Sequence, residues 1–405
     1  MAVAEFHDQK SISVIQNFDF ERIFDLEIDS PSSIYVLLKY LELINVQNSE
    51  LVFHTNSGEL INKLDEPTTS HNFYYFSKGE KENNSLVNFL FFGDIMFDRH
   101  VKEMMNKNGG VDYLIEKIAG TEKRFFQGVD IVMANLEGAV TENGEHYEPR
   151  VAIDFAFDKN DVEKLSDYNF NFFTLANNHI TDQGSKGFYE TQANLDDLGF
   201  NYVGCADKKV DECSVKIFEV NKNKIAMLAY SMVYGSLDED KILEQIKDVR
   251  ESVDLIIVNM HWGVEYEHQA RSNQVALAHN MIDAGADIII GHHPHVVQNV
   301  ELYCIKRATT NGVYPNDKIC KPIFYSLGNF IFDQYFSKET QEGLAVGLTC
   351  EEDKIQIDLF PHFSERNQVQ LMANTKKERF LEWLAEISDV EEEYKEQIKS
   401  GKIKL

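Results

Sequence analysis

The chain has 405 residues, of which 43% are hydrophobic and 26% are charged, and its formal net charge at pH 7 is −28. This length and apolar content predict a substantial core and two or more domains. The excess of negative charge argues against binding to nucleic acid or anionic lipid, and an acidic substrate would have to be held by local cations.

Residues 1–84 predict a small appended module of α+β type. Pro31 precedes apolar residues at helical spacing as far as Leu43, which favours an amphipathic helix. Residues 51–54, followed by Asn56-Ser57-Gly58, are typical of a strand and the turn of a hairpin. Residues 80–85 are polar and indicate a linker. The role of the module is unknown; its position alone suggests docking to a biosynthetic partner protein.

Six apolar runs of strand length follow. Continuous apolar runs predict strands buried on both faces, as in sheets covered by helices. Helical patterns separate them, for example from Ser272 to a stop at Gly285, after Asn160-Asp161, and over 191–198. This alternation predicts an α/β fold with a central sheet. The six runs are residues 86–92, 129–134, 170–176, 254–260, 288–290 and 323–325.

Each run ends in residues that can bind metal or phosphate. In open α/β sheets, ligands bind outside the carboxyl ends of the strands, so six polar endings predict one composite site. A single Asn or Asp after a strand is more often a turn residue, and the prediction therefore depends on the recurrence. The endings are Gly93-Asp94-Ile95-Met96, Asn135-Leu136-Glu137-Gly138, Asn177-Asn178-His179, His261-Trp262-Gly263-Val264-Glu265, Gly291-His292-His293-Pro294-His295 and Ser326-Leu327-Gly328-Asn329-Phe330.

These endings supply carboxylate, amide and imidazole donors, a mixture that suits Mn, Fe or Zn better than a thiolate site would. They offer more donors than one tetrahedral ion requires. Two divalent cations about 3.5–4 Å apart would use them, and such pairs promote phosphoester hydrolysis. The predicted metal ligands are Asp94, Glu137, Asn178, His261, His292 and His295.

Other polar residues near the strand ends are candidates for catalysis. His179 is the candidate general acid, because imidazole gains and loses protons near neutral pH. Asp182 either orients His179 or caps the following helix. Arg99 either holds a substrate anion through its planar guanidinium or pairs with Asp98.

A further set of residues is predicted to line the substrate pocket. For Asn329, a turn with Gly328 is the alternative role. The predicted pocket residues are Asn135, Glu265, Tyr266, His293 and Asn329.

Taken in order, the six endings, together with Arg99, Glu265-Tyr266 and Gln298, resemble the CapA family of bacterial capsule and poly-γ-glutamate synthesis proteins. That family is similar in fold to the calcineurin-like metallophosphoesterases. The resemblance implies a four-layered α/β sandwich with its metal site at the strand ends. It also implies that residues 85–405 form one CapA-like domain, including a C-terminal strand over 354–360 and a helix with the apolar residues Phe380 and Leu384.

The resemblance also implies roles for single residues. Asn178 matches the amide metal ligand, His179 the histidine that protonates the leaving group, and His261 the single histidine ligand of the next strand. His292 and His295 fit the Gly-His-x-Pro-His pattern of the capsule family, and His293 occupies its variable position. The chain departs from the broader metallophosphoesterases after Asp94, because Met96 stands where they have the histidine of Asp-x-His.

The five cysteines are scattered and odd in number, so we expect unpaired, incidental thiols rather than metal ligands. Unpaired thiols suit the reducing cytosol. Residues 1–10 lack the pattern of a signal peptide, and no run approaches the roughly 18–20 apolar residues of a membrane helix. We therefore predict a cytoplasmic protein without membrane insertion. Residues 391–404 are highly charged and predict a solvated helix or a frayed end.

Three functions are compatible with these observations. The first is a divalent-metal-dependent, phosphoesterase-like hydrolase acting on a phosphoester or anionic intermediate of capsule, poly-γ-glutamate or related polymer biosynthesis. The second is a non-catalytic accessory protein that binds polymer or synthase. The third is a metal-dependent amide or peptide hydrolase, because two-metal sites also serve aminopeptidases.

Overall fold

The computed structural model describes residues 2–57, 69–78, 86–147, 153–309, 312–351 and 354–405. The predicted turn at Gly58 and the predicted linker over 80–85 lie outside these residues. The α-helices of the described chain are α1 (Ala2–Gln16), α2 (Pro31–Leu43), α3 (Arg99–Asn108), α4 (Val111–Ala119), α5 (Lys159–Glu163), α6 (Gly184–Asp197), α7 (Glu239–Arg250), α8 (Ser272–Ala284), α9 (Asn374–Ile387) and α10 (Glu392–Ser400).

The described strands divide into two large sheets and two two-stranded pairs. They are β1 (Val46–Asn56), β2 (Ser70–Lys78), β3 (Val87–Ile95), β4 (Ile131–Leu136), β5 (Ala139–Thr141), β6 (Ala156–Asp158), β7 (Phe170–Thr174), β8 (Asn201–Val203), β9 (Val215–Val220), β10 (Asn223–Ser231), β11 (Leu255–His261), β12 (Ile288–His292), β13 (Val300–Thr309), β14 (Gly312–Phe324), β15 (Asn329–Ile331), β16 (Glu342–Glu351), β17 (Lys354–Glu365), β18 (Gln368–Leu371) and β19 (Lys402–Lys404).

Sheet A has the order β18-β17-β16-β3-β4-β7-β8, with β15 added beside β3 and β19 beside β17. Sheet B has the order β13-β14-β12-β11-β10-β9. Strands β3, β4, β7 and β8 run parallel, as do β10, β11, β12 and β14. Parallel strands end at a common edge, so each sheet collects its polar strand endings at one side. All six predicted strands are confirmed.

The two sheets pack face to face. Phe89 and Phe91 of β3 belong to the same buried cluster as Ile225, Met227 and Ile257 of sheet B. Burying each such side chain contributes roughly 1.5–3 kcal/mol, so this interface is a large part of the core.

Helices cover the outer face of each sheet. Leu90 and Phe92 alternate with Phe89 and Phe91 along β3, and they pack with the side chains of α3 and α4. Helices α7 and α8 cover sheet B through residues such as Ile246 and Met281. The resulting order of helices, sheet, sheet and helices confirms the predicted four-layered α/β sandwich.

Two glycines allow segments to approach closely at the strand ends. A Cβ at Gly93 would collide with the carbonyl oxygen of Gly328, and a Cβ at Gly291 would collide with that of Tyr325. The amide of Asp94 donates to the Gly328 carbonyl at 3.1 Å. These contacts bring the segment after β14 against the ends of β3 and β12, where the site residues lie.

Helix α1 packs on sheet A. Phe6 is fully buried, with its ring centroid 5.4 Å from that of Phe360 on β17. The Lys10 ammonium donates to the carbonyls of Arg124 and Gln127 at 2.7 and 2.8 Å. Helix α2 and the antiparallel pair β1-β2 form a smaller cluster around Leu38. The expected division of the chain at residue 84 stays a prediction.

The C-terminal tail is more ordered than its composition predicts. Helix α10 ends at Ser400 and is capped by Gly401, whose φ is 81°, and β19 then pairs with β17. Ile398 and Ile403 are fully buried. The predicted solvated helix is confirmed, because most residues of α10 are exposed, whereas the alternative of a frayed end is wrong, because Ile398 and Ile403 anchor the segment in the core.

The expectation of unpaired cysteines is also wrong for four of the five. Cys205 is bonded to Cys213, and Cys304 to Cys320 across the β13-β14 ladder, while Cys350 is a free thiol. Folding brings these pairs together from sequence separations of 8 and 16 residues. Structural disulfides are typical of oxidising compartments, so the cysteines no longer argue for the cytosol.

Candidate metal centre

Side chains from the ends of both sheets meet in one buried cluster. Asp94 lies on β3, Asn135 on β4 and His261 at the end of β11. The Asn135 side-chain amide donates to Asp94 Oδ1 at 2.8 Å and lies 3.3 Å from His261 Nδ1. Asn135, predicted to contact substrate, thus lies fully buried between the predicted metal ligands of the two sheets.

Glu137 is at the centre of this cluster. Its side chain is fully buried, and its Oε1 has no hydrogen-bond partner among the residues that the structure describes. The Nε2 atoms of three histidines surround that oxygen: His179 and His261 at 3.9 Å, and His295 at 3.7 Å. Ligands of a tetrahedral Zn²⁺ ion are about 3.3–3.6 Å apart, so these atoms are close to the spacing that a shared cation requires.

The donors form three groups whose atoms lie within 4.8 Å of one another. Glu137 belongs to two of them, and Glu265 contributes to the third from an exposed position. A buried carboxylate oxygen without a partner costs free energy, which a cation would recover. The residues present therefore fit a divalent cation. The groups are Asp94, Glu137 and His295; Glu137, His261 and His293; and Glu265, His293 and His295.

Asp94 and Glu137 are both fully buried, so ionising both carboxylates at once is unfavourable. Burial alone would raise the pKa of Asp94, but the imidazoles of His292 and His295 hold that pKa well below its usual range. Burial and the nearby Asp94 charge raise the pKa of Glu137 well above its usual range. Burial opposes the charged form of His295, yet Glu137 and Asp94 raise its pKa to about 9. A bound cation would replace the protons that the cluster otherwise retains.

Two other histidines are held in the neutral form. Burial, followed by the effect of His293, lowers the pKa of His261 well below its usual value. Burial, followed by the effect of His295, lowers the pKa of His293 to about 3. Neutral imidazole is the form that ligates metals.

The loop after β12 aims its histidines through unusual backbone geometry. His293 and His295 have φ angles of 96° and 58°, in the left-handed region that side chains rarely adopt. Each such residue costs of order 1–3 kcal/mol, which persists where surrounding structure imposes it and is common at functional sites. Here the geometry directs both rings inward, where they are nearly fully buried.

The positions of His292 and His293 differ in part from those expected for their predicted roles. His292, predicted as a ligand, lies with Nδ1 3.5 Å from Asp94 Oδ1, and neither of its ring nitrogens has a described hydrogen-bond partner. His293, predicted to contact substrate, belongs to two of the three donor groups, whereas His292 belongs to none. His293 therefore joins the candidate ligands, and the prediction that His292 is a ligand stays a prediction, with two unpartnered buried nitrogens beside Asp94.

Asn178 and His179 follow β7, as predicted. Asn178 Oδ1 lies 2.6 Å from His261 Nε2, so the amide reaches the cluster. His179 Nδ1 lies 2.7 Å from Asp182 Oδ2, and the ring centroid of Phe155 is 4.3 Å from that of His179. Asp182 precedes α6 and contacts the histidine, which supports an orienting role.

Arg99 and Asn329 lie at the margin of the cluster. The Arg99 guanidinium pairs with Asp333 rather than with Asp98, and it lies 4.9 Å from the centroid of the Phe155 ring. Asn329 Oδ1 lies 2.9 Å from His295 Nδ1, so Asn329 holds the histidine in place. Tyr266 is 42% exposed, with its ring centroid 6.4 Å from that of His295.

Two supporting residues were not among the predicted site residues. The Asn177 side chain donates to Asn135 Oδ1 and to the carbonyl of Leu136, and it accepts from the amide of His179. The Tyr234 hydroxyl lies 3.5 Å from Asn178 Nδ2. The motif Asn177-Asn178-His179 indicates that Asn177 belongs to the site. The sequence around Tyr234 contains no motif that would identify it.

Within the described residues, no helix combines the length and the apolar character needed to cross a lipid bilayer.

The chain is similar to bacterial proteins of capsule and PGA biosynthesis. The family of bacterial capsule synthesis proteins PGA_cap matches residues 88–334. "Capsule biosynthesis protein CapA" of Bacillus anthracis is 33% identical over 283 residues, which cover 65% of this chain and 64% of that protein. "PGA biosynthesis protein CapA" of Bacillus subtilis (strain 168) is 31% identical over 280 residues, which cover 65% of this chain and 67% of that protein.

A solved structure described as a novel phosphatase from Mycoplasma pneumoniae is 15% identical, with a TM-score of 0.39. The alignment covers 70% of this chain and 96% of that chain.

Proposed function

The chain belongs to the PGA_cap family of bacterial capsule synthesis proteins, and from this premise we propose that it is a divalent-metal-dependent hydrolase. Its substrate would be a phosphoester or related intermediate in a capsule, poly-γ-glutamate or similar polymer pathway. The pathway is suggested by the relatives named for capsule and PGA biosynthesis.

One observation carries the proposal: the Glu137 carboxylate is common to two groups of potential ligands. Asp94 and His295 accompany it in one group, and His261 and His293 in the other. Carboxylates bridge pairs of cations more readily than imidazoles do, because each has two oxygens with free lone pairs. The arrangement supports two cation positions that share Glu137, with Asn178 beside the second. Mn, Fe and Zn all suit such ligands.

When bound, the cations would supply Lewis-acid stabilisation of charge on the phosphoryl oxygens and an activated water. The protein's own residues would complete the site. Asp182 accepts a hydrogen bond from Nδ1–H of His179, so the ring has a second proton to donate from Nε2 when it is the imidazolium, which the Asp182 charge stabilises. That Nε2 faces the Glu137 oxygen at 3.9 Å, next to the proposed cations, where it could protonate a leaving group. Arg99, although paired with Asp333, is 39% exposed and could contact a substrate anion.

The test measures metal and turnover on the same preparations. Bound metal is determined by mass spectrometry, and phosphomonoesters, phosphodiesters and polyglutamate are assayed with added Mn²⁺. His261→Ala and His295→Ala should each lower bound metal and abolish turnover. His71→Ala, an exposed histidine on β2, is the matched control and should change neither.

The outcomes separate the three candidate functions. Two equivalents of metal with histidine-dependent phosphoester cleavage would support the proposal. Absence of both metal and turnover would overturn it in favour of the accessory role. Cleavage of amides alone would instead identify a metal-dependent amide hydrolase.

The amino-terminal segment is a candidate surface for a partner in the same pathway. Helix α2 exposes Val36, Tyr40 and Leu43, and the β1-β2 pair exposes Phe53 and Phe73, which lie opposite each other. Exposed apolar surfaces of this kind often mark protein interfaces.

Replacing Phe53 and Phe73 with Ser tests this role. The variant should lower polymer yield in cells while bound metal and the unfolding midpoint stay unchanged. Unchanged yield would count against a docking role.

A further inference from the structure

A cavity of about 560 Å³ lies outside the residues assigned to the metal centre. Lys376, Arg379 and Trp383 of α9 form one side. Lys338 and Glu339, which precede β16, and Glu342, its first residue, line another. Its volume is within the usual range for ligand pockets, about 300–1,000 Å³.

Basic side chains outnumber acidic side chains in the lining of the cavity. Lys338 Nζ lies 3.1 Å from Glu342 Oε1, so this pair is neutralised within the wall. Lys376 and Arg379 form no salt bridge with any described carboxylate, and Glu339 can balance only one of these two charges. The Lys376 ammonium lies over the Phe363 ring, 2.9 Å from its centroid. A local positive excess is unusual in a chain whose net charge is −28, and it favours an anionic ligand.

Aromatic rings line the same cavity. Trp383 is partly buried, with its ring centroid 5.3 Å from that of Phe380 and 5.1 Å from that of His268. An indole face supplies a large, rigid surface on which planar groups such as amides can pack. Cations beside this face suit a ligand that carries both carboxylates and planar peptide units.

The cavity adjoins the metal centre through two segments. Val297, in the cavity wall, follows His295 by two residues. The Asn329 amide donates to the carbonyl of Thr340 at 3.0 Å, between the cavity residues Glu339 and Glu342. An extended ligand in the cavity would therefore lie next to the segments that hold His295.

We propose that this cavity binds an acidic peptide-like chain, with carboxylates at Lys376 and Arg379 and amide planes on Trp383. Binding itself does not depend on hydrolysis. Delivery of the same chain to the metal centre rests on the proposed function above.

Trp383 provides the readout. The chain has two tryptophans, and the other, Trp262, is fully buried. The full chain, treated with EDTA, is titrated with synthetic decaglutamate while fluorescence is recorded. The double variant Lys376→Gln, Arg379→Gln should raise the Kd about tenfold or more, since charge-assisted hydrogen bonds are lost. Raising NaCl from about 0.05 to 0.5 M should also weaken binding.

Three controls accompany the titration. Lys209→Gln removes one exposed charge outside the cavity and should leave the Kd unchanged. Trp383→Phe should remove the fluorescence response. Decaglutamine, which has the same length but no charge, should not bind.

Several results would overturn the proposal. One is an unchanged Kd for decaglutamate in the double variant. Another is an equal rise in that Kd in Lys209→Gln. A third is binding of decaglutamine as tight as that of decaglutamate. Polyphosphate binding as tightly as decaglutamate would exclude an acidic peptide as the specific class. The unfolding midpoint of each variant reports folding separately. The amount of bound metal tests the hydrolase proposal without reference to peptide binding. The hydrolase proposal and the peptide-binding proposal can therefore fail separately.

Discussion

The ring of His179 is fixed to Asp182 by a 2.7 Å contact between Nδ1 and Oδ2. The same carboxylate oxygen accepts a hydrogen bond from the backbone amide of Phe155 at 2.9 Å, and the Phe155 ring packs on the His179 ring. One aspartate therefore positions both the proposed acid and the aromatic ring that covers it. This arrangement leaves His179 Nε2 directed toward Glu137.

Asp182→Asn should lower kcat about 10- to 100-fold, with little change in KM or bound metal. An amide at this position lacks the negative charge that stabilises the imidazolium, the form of His179 that can donate a proton from Nε2. Steady-state kinetics with a phosphoester and Mn²⁺ measures the effect. Asp197→Asn, an exposed change on α6, is the control. An equal fall in both variants would argue against the positioning role.

Glu137→Gln should separate metal binding from folding. Burial and Asp94 raise the pKa of Glu137, so a neutral amide should be tolerated in metal-free protein, whose unfolding midpoint should stay equal or rise. Wild-type protein should be stabilised by Mn²⁺, by about 2.7 kcal/mol at a hundredfold excess over Kd, and the variant should lose this gain. Thermal unfolding with EDTA or Mn²⁺ measures both. Full metal stabilisation of the variant would contradict a shared Glu137.

Asp358→Asn should stabilise the protein in a pH-dependent way. Burial raises the pKa of Asp358 to about 7, above the roughly 3.9 expected in the unfolded chain. The folded state then binds the proton more tightly, so its stability falls as pH rises from about 4 to 7. The gain from Asn should be near zero at pH 4 and reach about 2–4 kcal/mol above pH 7.

Denaturant unfolding of wild type and variant across this pH range measures the difference. Asp240→Asn, at an exposed position on α7, should show no such trend. A constant difference between wild type and Asp358→Asn at all pH values would refute the assignment.

Thiol counting should find one free cysteine per chain. In denaturant without reductant, only Cys350 should react, and reduction should expose all five. Burial raises the pKa of Cys350 to about 12, so the native protein should react slowly at pH 8. The double variant Cys304→Ser, Cys320→Ser should lose about 3 kcal/mol of stability, as expected for a loop of this size. Five reactive thiols before reduction would contradict the pairing.

Phe6→Ala should destabilise the whole sandwich rather than the amino-terminal segment alone. The ring is fully buried against Phe360, and removing such a side chain costs about 3–5 kcal/mol. Phe24→Ala, where the ring is 57% exposed, should cost much less. The free energy of unfolding measures both, and similar small losses would show that α1 contributes little.

The sequence by itself determined the strands, their polar endings and the family. Apolar runs such as 288–290 and the donors that follow them are local features, and each could be recognised without knowing what lies opposite. The α/β class and the predicted convergence of Asp94 and His261 follow from this local pattern and from the rule that parallel strands end together.

Tertiary structure alone decided which donors face one another. His292 and His293 are adjacent in sequence, but the positive φ of His293 places its ring with Glu137 and His261. The disulfides and the burial of α1 likewise depend on packing between distant segments. Side-chain direction, strand pairing and burial are set by the whole chain, whereas residue type and hydrophobic period are properties of a short stretch.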